Sequence, residues 1–504
     1  MGIRVYNSWS RKKEEFQELH PGEVRMYVCG PTVYDHSHIG HGRAAVTFDF
    51  IQRYFKFRGY RVNYVRNYTD VDDKIINRAN QEKVEAAVIA EKYIKSYEDD
   101  MSGLGVEKPS SRPRVSEHIP EIIGAISMLI DKGFAYVSGK DVFFAVRKFH
   151  RYGALSRRSL DEMQAGARVE VNEQKQDPLD FALWKSAKPG EPKWRSPWGE
   201  GRPGWHIECS VMSAKYLGLP FDIHGGGKDL LFPHHENEIA QSEAAFDKKM
   251  VNYWLHNGFV QINQEKMSKS LGNILLIRDL LKRYHRETVR YFYCSVHWRS
   301  PIDFSEDNLL QADEAMERFY QAFHQIEKLS GTRALEEPLK DDELGAAAQK
   351  LEPEFIEAMD DDFNTAQVVG NFNEFLRLLN QRLEHAGFRN KPGAAALLVK
   401  SWSELQRLGA VLGLFQEKPS EYMEREKERG LKLLGIDPNE PLAQIQARAR
   451  ARAQKDFARA DEIRAGLAER GIILEDSREG TGWKIDRKKL GEKFELIKFT
   501  GGGK

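Results

Sequence analysis

Four short stretches carry residues whose types and spacing could do chemistry. In VCGPTVYDHSHIGHG, His38-Ile39-Gly40-His41 (HIGH) stands at the start of a predicted helix, with Ser37 or Asp35 available as its cap. The free N–H groups and dipole of such a terminus favour phosphate. His38 and His41 share a helical face, and Gly40 lets a flat base or a phosphate approach the backbone. Lys266-Met267-Ser268-Lys269-Ser270 (KMSKS) places two lysines around a short loop that could close on pyrophosphate. HGGGKDL (224–230) offers a glycine-rich segment followed by Asp229. Finally, Cys29, Cys209, His234 and Glu238 supply thiol, imidazole and carboxylate, with His234 and Glu238 spaced i,i+4. That donor set suits Zn²⁺. Three of these also have a plain reading: a capped amphipathic helix for HIGH, a solvated basic loop for KMSKS, and two cysteines buried as small hydrophobes.

The elements that must position these residues can be read from pattern. VRMYVC (24–29) and RVNYVRNYTD (61–70) read as strands flanking a helix from about Ser37 to Gly59. Such a βαβ unit implies a parallel sheet with ligands beyond the carboxyl ends of its strands, where Cys29 and Thr69-Asp70 fall. Residues 71–135 read as helical, 136–200 as irregular, 221–230 as strand then glycine turn, and 251–262 as a further strand. From about 305 onward the pattern is that of a helical bundle with charged faces. In 455–476, Phe457, Ala460, Ile463 and Leu467 form one apolar face.

The 504 residues suggest several domains, and zero net charge advertises no global field for nucleic acid. Between 441 and 504, however, 15 Lys/Arg face 10 Asp/Glu, a surplus that suits phosphates and a solvated helix alike. Three cysteines argue against a disulfide framework and for a reducing, cytoplasmic setting. No apolar run is long enough for a membrane span, and the N-terminus lacks the pattern of a secretory signal.

HIGH and KMSKS, in this order around a parallel α/β domain, resemble the two signatures of class I aminoacyl-tRNA synthetases. MYVCGPTVYDHSHIGH, VRNYTDVDDKI, DPLDFALWK, GRPGWHIECS, DIHGGGKDLLFPHHENEIAQ, KMSKSLGN, FIEAMDDDFNTA and GIILEDSREGTGW extend the resemblance to the cysteinyl-tRNA synthetases, over nearly the whole chain. The resemblance implies an α/β fold: a Rossmann-type parallel-sheet catalytic domain with an insertion, then an α-helical bundle and a small C-terminal domain. The expected segments are 1–120 and 201–250 for the two catalytic halves, 121–200 for the insertion and 251–320 for the KMSKS-bearing region. The remainder divides into a tRNA-binding bundle at 321–425, anticodon recognition at 426–484 and a tail at 485–504.

It also implies ligation of L-cysteine to tRNA(Cys) through a cysteinyl-adenylate, with ATP and Mg²⁺, by a cytoplasmic monomer without membrane contact. One Zn²⁺ on Cys29, Cys209, His234 and Glu238 would take the substrate thiolate, a soft ligand that oxygen cannot match. His38, Gly40, His41, Asp229, Lys266 and Lys269 would serve ATP, and Thr69 and Trp205 would line the cysteine pocket. His224 is expected to contact the substrate carboxylate, and His235 to face away from the metal. Trp483 is a candidate for stacking on an unpaired base. The family's KIIK segment, tied to persulfide formation, reads KIIN here with Asn77, so that activity is not carried over. A related ligase that joins cysteine to an amino sugar, and a paralogue that binds zinc or tRNA without activation, are the rival readings.

Overall fold

The computed structural model describes the chain except residues 1, 161, 164–173, 263–264, 267–273, 331–336, 341, 478–479 and 497–504. It divides into two compact units: Met1–Phe259 with Trp298–Pro301 and Met359–Asn364, and the remaining segments.

In the first unit a hairpin of β1 (Arg4–Asn7) and β2 (Lys12–Glu15) precedes β3 (Glu23–Val28), α1 (Ile39–Phe57) and β4 (Arg61–Arg66). His38 itself, rather than Ser37 or Asp35, caps α1. Its ring accepts from Gly40 N while His41 Nδ1 accepts from His38 N, closing a capping box made of two histidines. The buried Ala45, Phe48, Ile51 and Phe55 then bind α1 to the sheet. After α2 (Asp73–Glu82), α3 (Ala86–Gly103) and α4 (Ile119–Asp131), the chain enters residues 136–200. The expectation of irregular structure fails there. β5 (Ala135–Ser138), β6 (Asp141–Phe144), β7 (Phe181–Ser186), β8 (Trp194–Ser196) and β9 (Gly199–Pro203) form an antiparallel sheet in the order β5-β6-β7-β9-β8. Its strands are three to six residues long, too short for alternation to stand out between Pro/Gly-rich loops.

α5 (Trp205–Leu217), β10 (Phe221–Gly227), α6 (Glu236–Phe246) and β11 (Val251–Asn257) complete a parallel sheet ordered β11-β10-β3-β4. Gly225, Gly226 and Gly227 lie inside β10 rather than in a turn after it. A Cβ on Gly225 would come within 2.3 Å of the Phe48 ring, and one on Gly226 within 2.9 Å of His235. Close packing of α1 and a histidine onto the strand, not a bend, therefore demands glycine there. The edge strand β4 is covered by residues 111–114, through bridges Val65–Ser111 and Tyr68–Arg114.

The second unit holds β12 (Val260–Ile262), β13 (Glu265–Lys266), α7 (Arg286–Cys294) and β14 (Ile302–Phe304). It continues with the long helices α8 (Glu306–Ser330), α9 (Glu343–Asp360), α10 (Thr365–Glu384), α11 (Ala394–Leu412) and α12 (Pro419–Leu434). Then come α13 (Glu440–Ala453), α14 (Phe457–Glu469), the hairpin β15 (Ile472–Ser477)–β16 (Gly480–Ile485) and α15 (Arg487–Leu496). Two expectations change. Phe457, at the first position of α14, is exposed while Ala460, Ile463 and Leu467 are buried. The supposed tail begins as helix α15, whose buried Arg487 pairs with Asp313, Glu317 and Glu426. No helix is long and apolar enough to cross a membrane, among the described residues.

Candidate active site and metal centre

The carboxyl ends of β3, β4, β10 and β11 carry the chemistry. Cys29 follows β3 directly, Asn67 and Thr69 follow β4, His224 lies within β10, and Cys209 faces them from the second turn of α5. His234, His235 and Glu238 come from the turn into α6 and its first turn. All of these residues are buried.

Cys29 Sγ stands 3.6 Å from Cys209 Sγ and 3.3 Å from Glu238 Oε1. His234 Nε2 lies 3.0 Å from the same Glu238 oxygen. The donor atoms of Cys29, Cys209, His234 and Glu238 thus lie within 4.8 Å of one another. A second set shares two of those residues: Cys29, His224, His235 and Glu238 satisfy the same criterion. His235 does not face away, since its Nε2 is 3.4 Å from Cys29 Sγ. On a regular helix it would lie one residue, about 100°, off the His234–Glu238 face, but His235 sits before the regular helix, where that step does not apply. His224 Nε2 is 3.5 Å from Cys29 Sγ and 3.3 Å from Glu238 Oε2. It thus stands within this cluster of donors.

The electrostatics suit a cation. Burial raises the Cys29 thiol, and the neighbouring Cys209 adds to the rise. The hydrogen bond from Cys29 lowers Cys209 to about 6 against the effect of burial, with His234 assisting. Burial opposes charge on His234, yet Glu238 and Cys209 raise it to about 10. Burial likewise opposes ionisation of Glu238, and His224 and His234 overcome it to hold the carboxyl well below its usual range. Glu238 Oε2 and His224 Nδ1 remain without hydrogen-bond partners. Two thiols, a carboxylate and imidazoles, buried together with polar atoms unsatisfied, form a donor set that fits Zn²⁺.

Around this set stand residues that motif reading passed over. His206 Nδ1 is 2.8 Å from His234 Nδ1, and His235 Nδ1 is 2.8 Å from His256 Nε2. Asn67 Oδ1 accepts from Gly30 N at 2.8 Å, and Thr69 Oγ1 donates to Glu208 at 3.0 Å. His206 and Glu208 flank Cys209 within one turn, a density of ionisable side chains that the sequence does display. Trp205 is 40% exposed and stacks on the His234 ring at 4.3 Å. His38 and His41 stack at 3.7 Å at the start of α1, whereas His36 Nδ1 bonds to Ser96 Oγ at 2.8 Å. Asp229 is exposed, just beyond β10. Lys266 lies on β13, and Lys269 falls outside the described residues. Trp483 is half-buried on β16, with the Lys427 ammonium 4.9 Å from its ring centre.

Comparison with known proteins places this arrangement. Residues 15–314 match the family model described as tRNA synthetases class I (C) catalytic domain. Residues 354–416 match the DALR domain, and 439–483 the Cysteinyl-tRNA ligase anticodon binding domain. Among solved structures, Mycobacterium tuberculosis methionyl-tRNA synthetase in complex with methionyl-adenylate shares the fold, with a TM-score of 0.59 at 15% identity, covering 83% of this chain and 94% of that one. A leucyl enzyme from Agrobacterium radiobacter in a ternary complex gives 0.58 at 12% identity, covering 80% and 87%. The fold and the catalytic-domain match define a class I aminoacyl-tRNA synthetase.

Within that class the sequence is more specific. It is 55% identical to the Cysteine–tRNA ligase of Geobacter metallireducens and 54% identical to that of Geobacter sulfurreducens, each over 96% of this chain and 100% of the relative. The chain belongs to the cysteine–tRNA ligase family.

Proposed function

We propose that the protein activates L-cysteine with ATP and transfers it to the 3′ end of tRNA(Cys). The observation that carries this reading is the buried Cys29–Cys209–His234–Glu238 set at the carboxyl end of a parallel sheet, on the chain that runs straight on to His38 and His41. Zn²⁺ held by these four residues supplies a soft Lewis acid that favours a thiolate over the hydroxyl of serine. Trp205, half-exposed over His234, and Thr69, fixed by Glu208, are assigned to the cysteine pocket by resemblance. His224 holds the Glu238 carboxylate from below.

The capped N-terminus of α1 presents His38, Gly40 and His41 to the phosphates, with Asp229 assigned to the ribose hydroxyls and Mg²⁺ accompanying ATP. The cysteine carboxylate oxygen attacks the α-phosphorus, and the bond to the bridging oxygen breaks as pyrophosphate leaves. Lys266 and Lys269 are assigned to the charge on that leaving group, by resemblance of the KMSKS segment. The terminal ribose hydroxyl of the tRNA then takes the cysteinyl group and AMP departs. No protein nucleophile is required, because positioning and charge stabilisation carry the reaction. The match of 439–483 to an anticodon-binding model favours tRNA over an amino sugar as acceptor. The assignment of 321–425 and 426–484 to tRNA binding belongs to the same proposal.

Cysteine-dependent ATP–pyrophosphate exchange, followed by charging of tRNA(Cys), tests it. Exchange should require cysteine and fall on zinc chelation. Equal exchange with serine would overturn the metal's role, and exchange without charging would favour the amino-sugar ligase.

A further inference from the structure

On the other face of β4 from Asn67 lies a second buried site. Alternation along the strand sends Val65 and Asn67 one way, and Tyr64, Arg66 and Tyr68 the other. Arg66 is only 6% exposed, and burial opposes its charge while the neighbouring Tyr97, Tyr64 and Tyr68 side chains support it. Its guanidinium lies 5.4 Å from the Tyr97 ring centre. The Arg66 Nε has no hydrogen-bond partner, and neither has the buried Tyr97 hydroxyl.

These groups line a cavity of about 70 Å³ closed by α3 and residues 106–112. Two acids reach its wall, and both are engaged. Glu98 accepts from the Tyr68 hydroxyl at 3.2 Å and pairs with Arg112, while Glu107 takes Lys56 at 2.7 Å and Arg53 at 3.4 Å. Lys108 and Arg112 stand with Arg66 in the lining, so it carries one positive charge in excess of its acids. A buried guanidinium with an unpartnered N–H and an unpartnered hydroxyl, beside a small void lined mainly by aromatic and aliphatic surface, call for a polar partner that the described residues do not supply.

We propose that this cavity binds a small oxyanion, a phosphate or a carboxylate, held by Arg66 and Tyr97. The volume admits a group of a few heavy atoms and excludes a nucleotide. Fork-shaped donors on Arg66 match two oxygens of either anion, and the Tyr97 hydroxyl supplies a third donor. The site lies apart from the cysteine-activating residues, though β4 connects them: Arg66 precedes Asn67, which holds Gly30 beside Cys29.

The test uses the full chain and radiolabelled inorganic phosphate in equilibrium dialysis at fixed ionic strength. Phosphate at the α1 terminus is separated by a His38→Asn/His41→Asn variant, in which the Arg66-dependent binding should survive. Arg66→Gln should weaken that binding at least about tenfold, the loss of a charge-assisted hydrogen bond. Tyr97→Phe, which removes one hydroxyl and keeps the ring, should weaken it roughly threefold with unchanged thermal unfolding. If Arg66→Gln does not fold, Tyr97→Phe alone decides. Acetate competing with phosphate would identify a carboxylate site, and sulfate competing would identify a tetrahedral one; both support the proposal. Binding that is absent, or unchanged in the variants, would show a water-filled cavity and overturn it.

Discussion

Two buried ionic clusters in this molecule solve opposite problems. At the base of the parallel sheet, Glu238 faces His224, His234 and His235 together with two thiols, and polar atoms are left unsatisfied. In the second unit, Arg487 meets Asp313 at 2.8 Å, Glu317 at 3.0 Å and Glu426 at 2.9 Å, and Arg429 also pairs with Asp313 and Glu426. The second cluster alternates sign, two guanidiniums among three carboxylates, and fastens α15 and α12 to α8, although Arg429 Nη1 and Arg487 Nη1 also lack hydrogen-bond partners among the described residues. The first crowds soft donors whose affinities converge on an added cation. Burying charge is costly in both. The open cluster gathers a donor set suited to a cation, and the closed one fixes the packing of its helices.

The comparison breaks first at the open cluster. Cys209→Ala should remove one of the two thiols and leave only the harder Cys29–His224–His235–Glu238 set complete. Bound zinc should fall below one per chain by atomic absorption, and cysteine-dependent exchange should drop at least about a thousandfold, ~4 kcal/mol. Full metal content with normal exchange would place the site elsewhere. The closed cluster should instead respond in stability. Glu426 resists its own burial through Arg429 and Arg487, which lower its carboxyl from an ordinary 4.5 to about 2. A depressed carboxyl contributes stability above its unfolded value and loses it as pH falls through the folded one. Glu426→Gln should therefore lower unfolding free energy by about 3 kcal/mol at neutral pH. The gap to the parent should close between pH 4.5 and 2, read as urea midpoints across that range. A gap that persisted at pH 2 would mean that the side chain acts through packing, not charge.

How much of each cluster could be read in advance follows from how each is assembled. Cys29, His38, His41 and Asp229 occupy strand ends and a helix start, places that pattern and turn chemistry locate. Hydrophobic spacing gave α1 within two residues at each end, because its buried row is uninterrupted. The direction of His235 differs from expectation because it depends on an irregular turn before α6, and the nearness of His224 to Cys29 depends on a strand packed without side chains at Gly225 and Gly226. No local rule describes either. The antiparallel sheet in 136–200 escaped for a similar reason: its strands are specified by cross-strand partners such as Trp184 and Pro203, not by their own length. The closed cluster was invisible, since Arg487 reads as one cation among many until the fold sets it against Asp313, 174 positions earlier.

A subtler substitution tests whether the open cluster ends at its donors. His234 turns Nε2 toward Glu238, so its other nitrogen is the one that bonds His206 at 2.8 Å. With a metal bound at Nε2, Nδ1 would carry the proton and give it to His206 Nδ1. His206 then fixes both the tautomer and the plane of the His234 ring, which Trp205 holds from the side. His206→Asn should leave the fold intact and weaken zinc by about 10–100-fold, ~1.4–2.8 kcal/mol, measured by competition with a chromophoric chelator. Exchange should recover at saturating zinc, which loss of a direct ligand would not permit. Should His206→Asn match Cys209→Ala in both metal content and exchange, His206 would itself be a ligand, and the four-residue set would need redrawing.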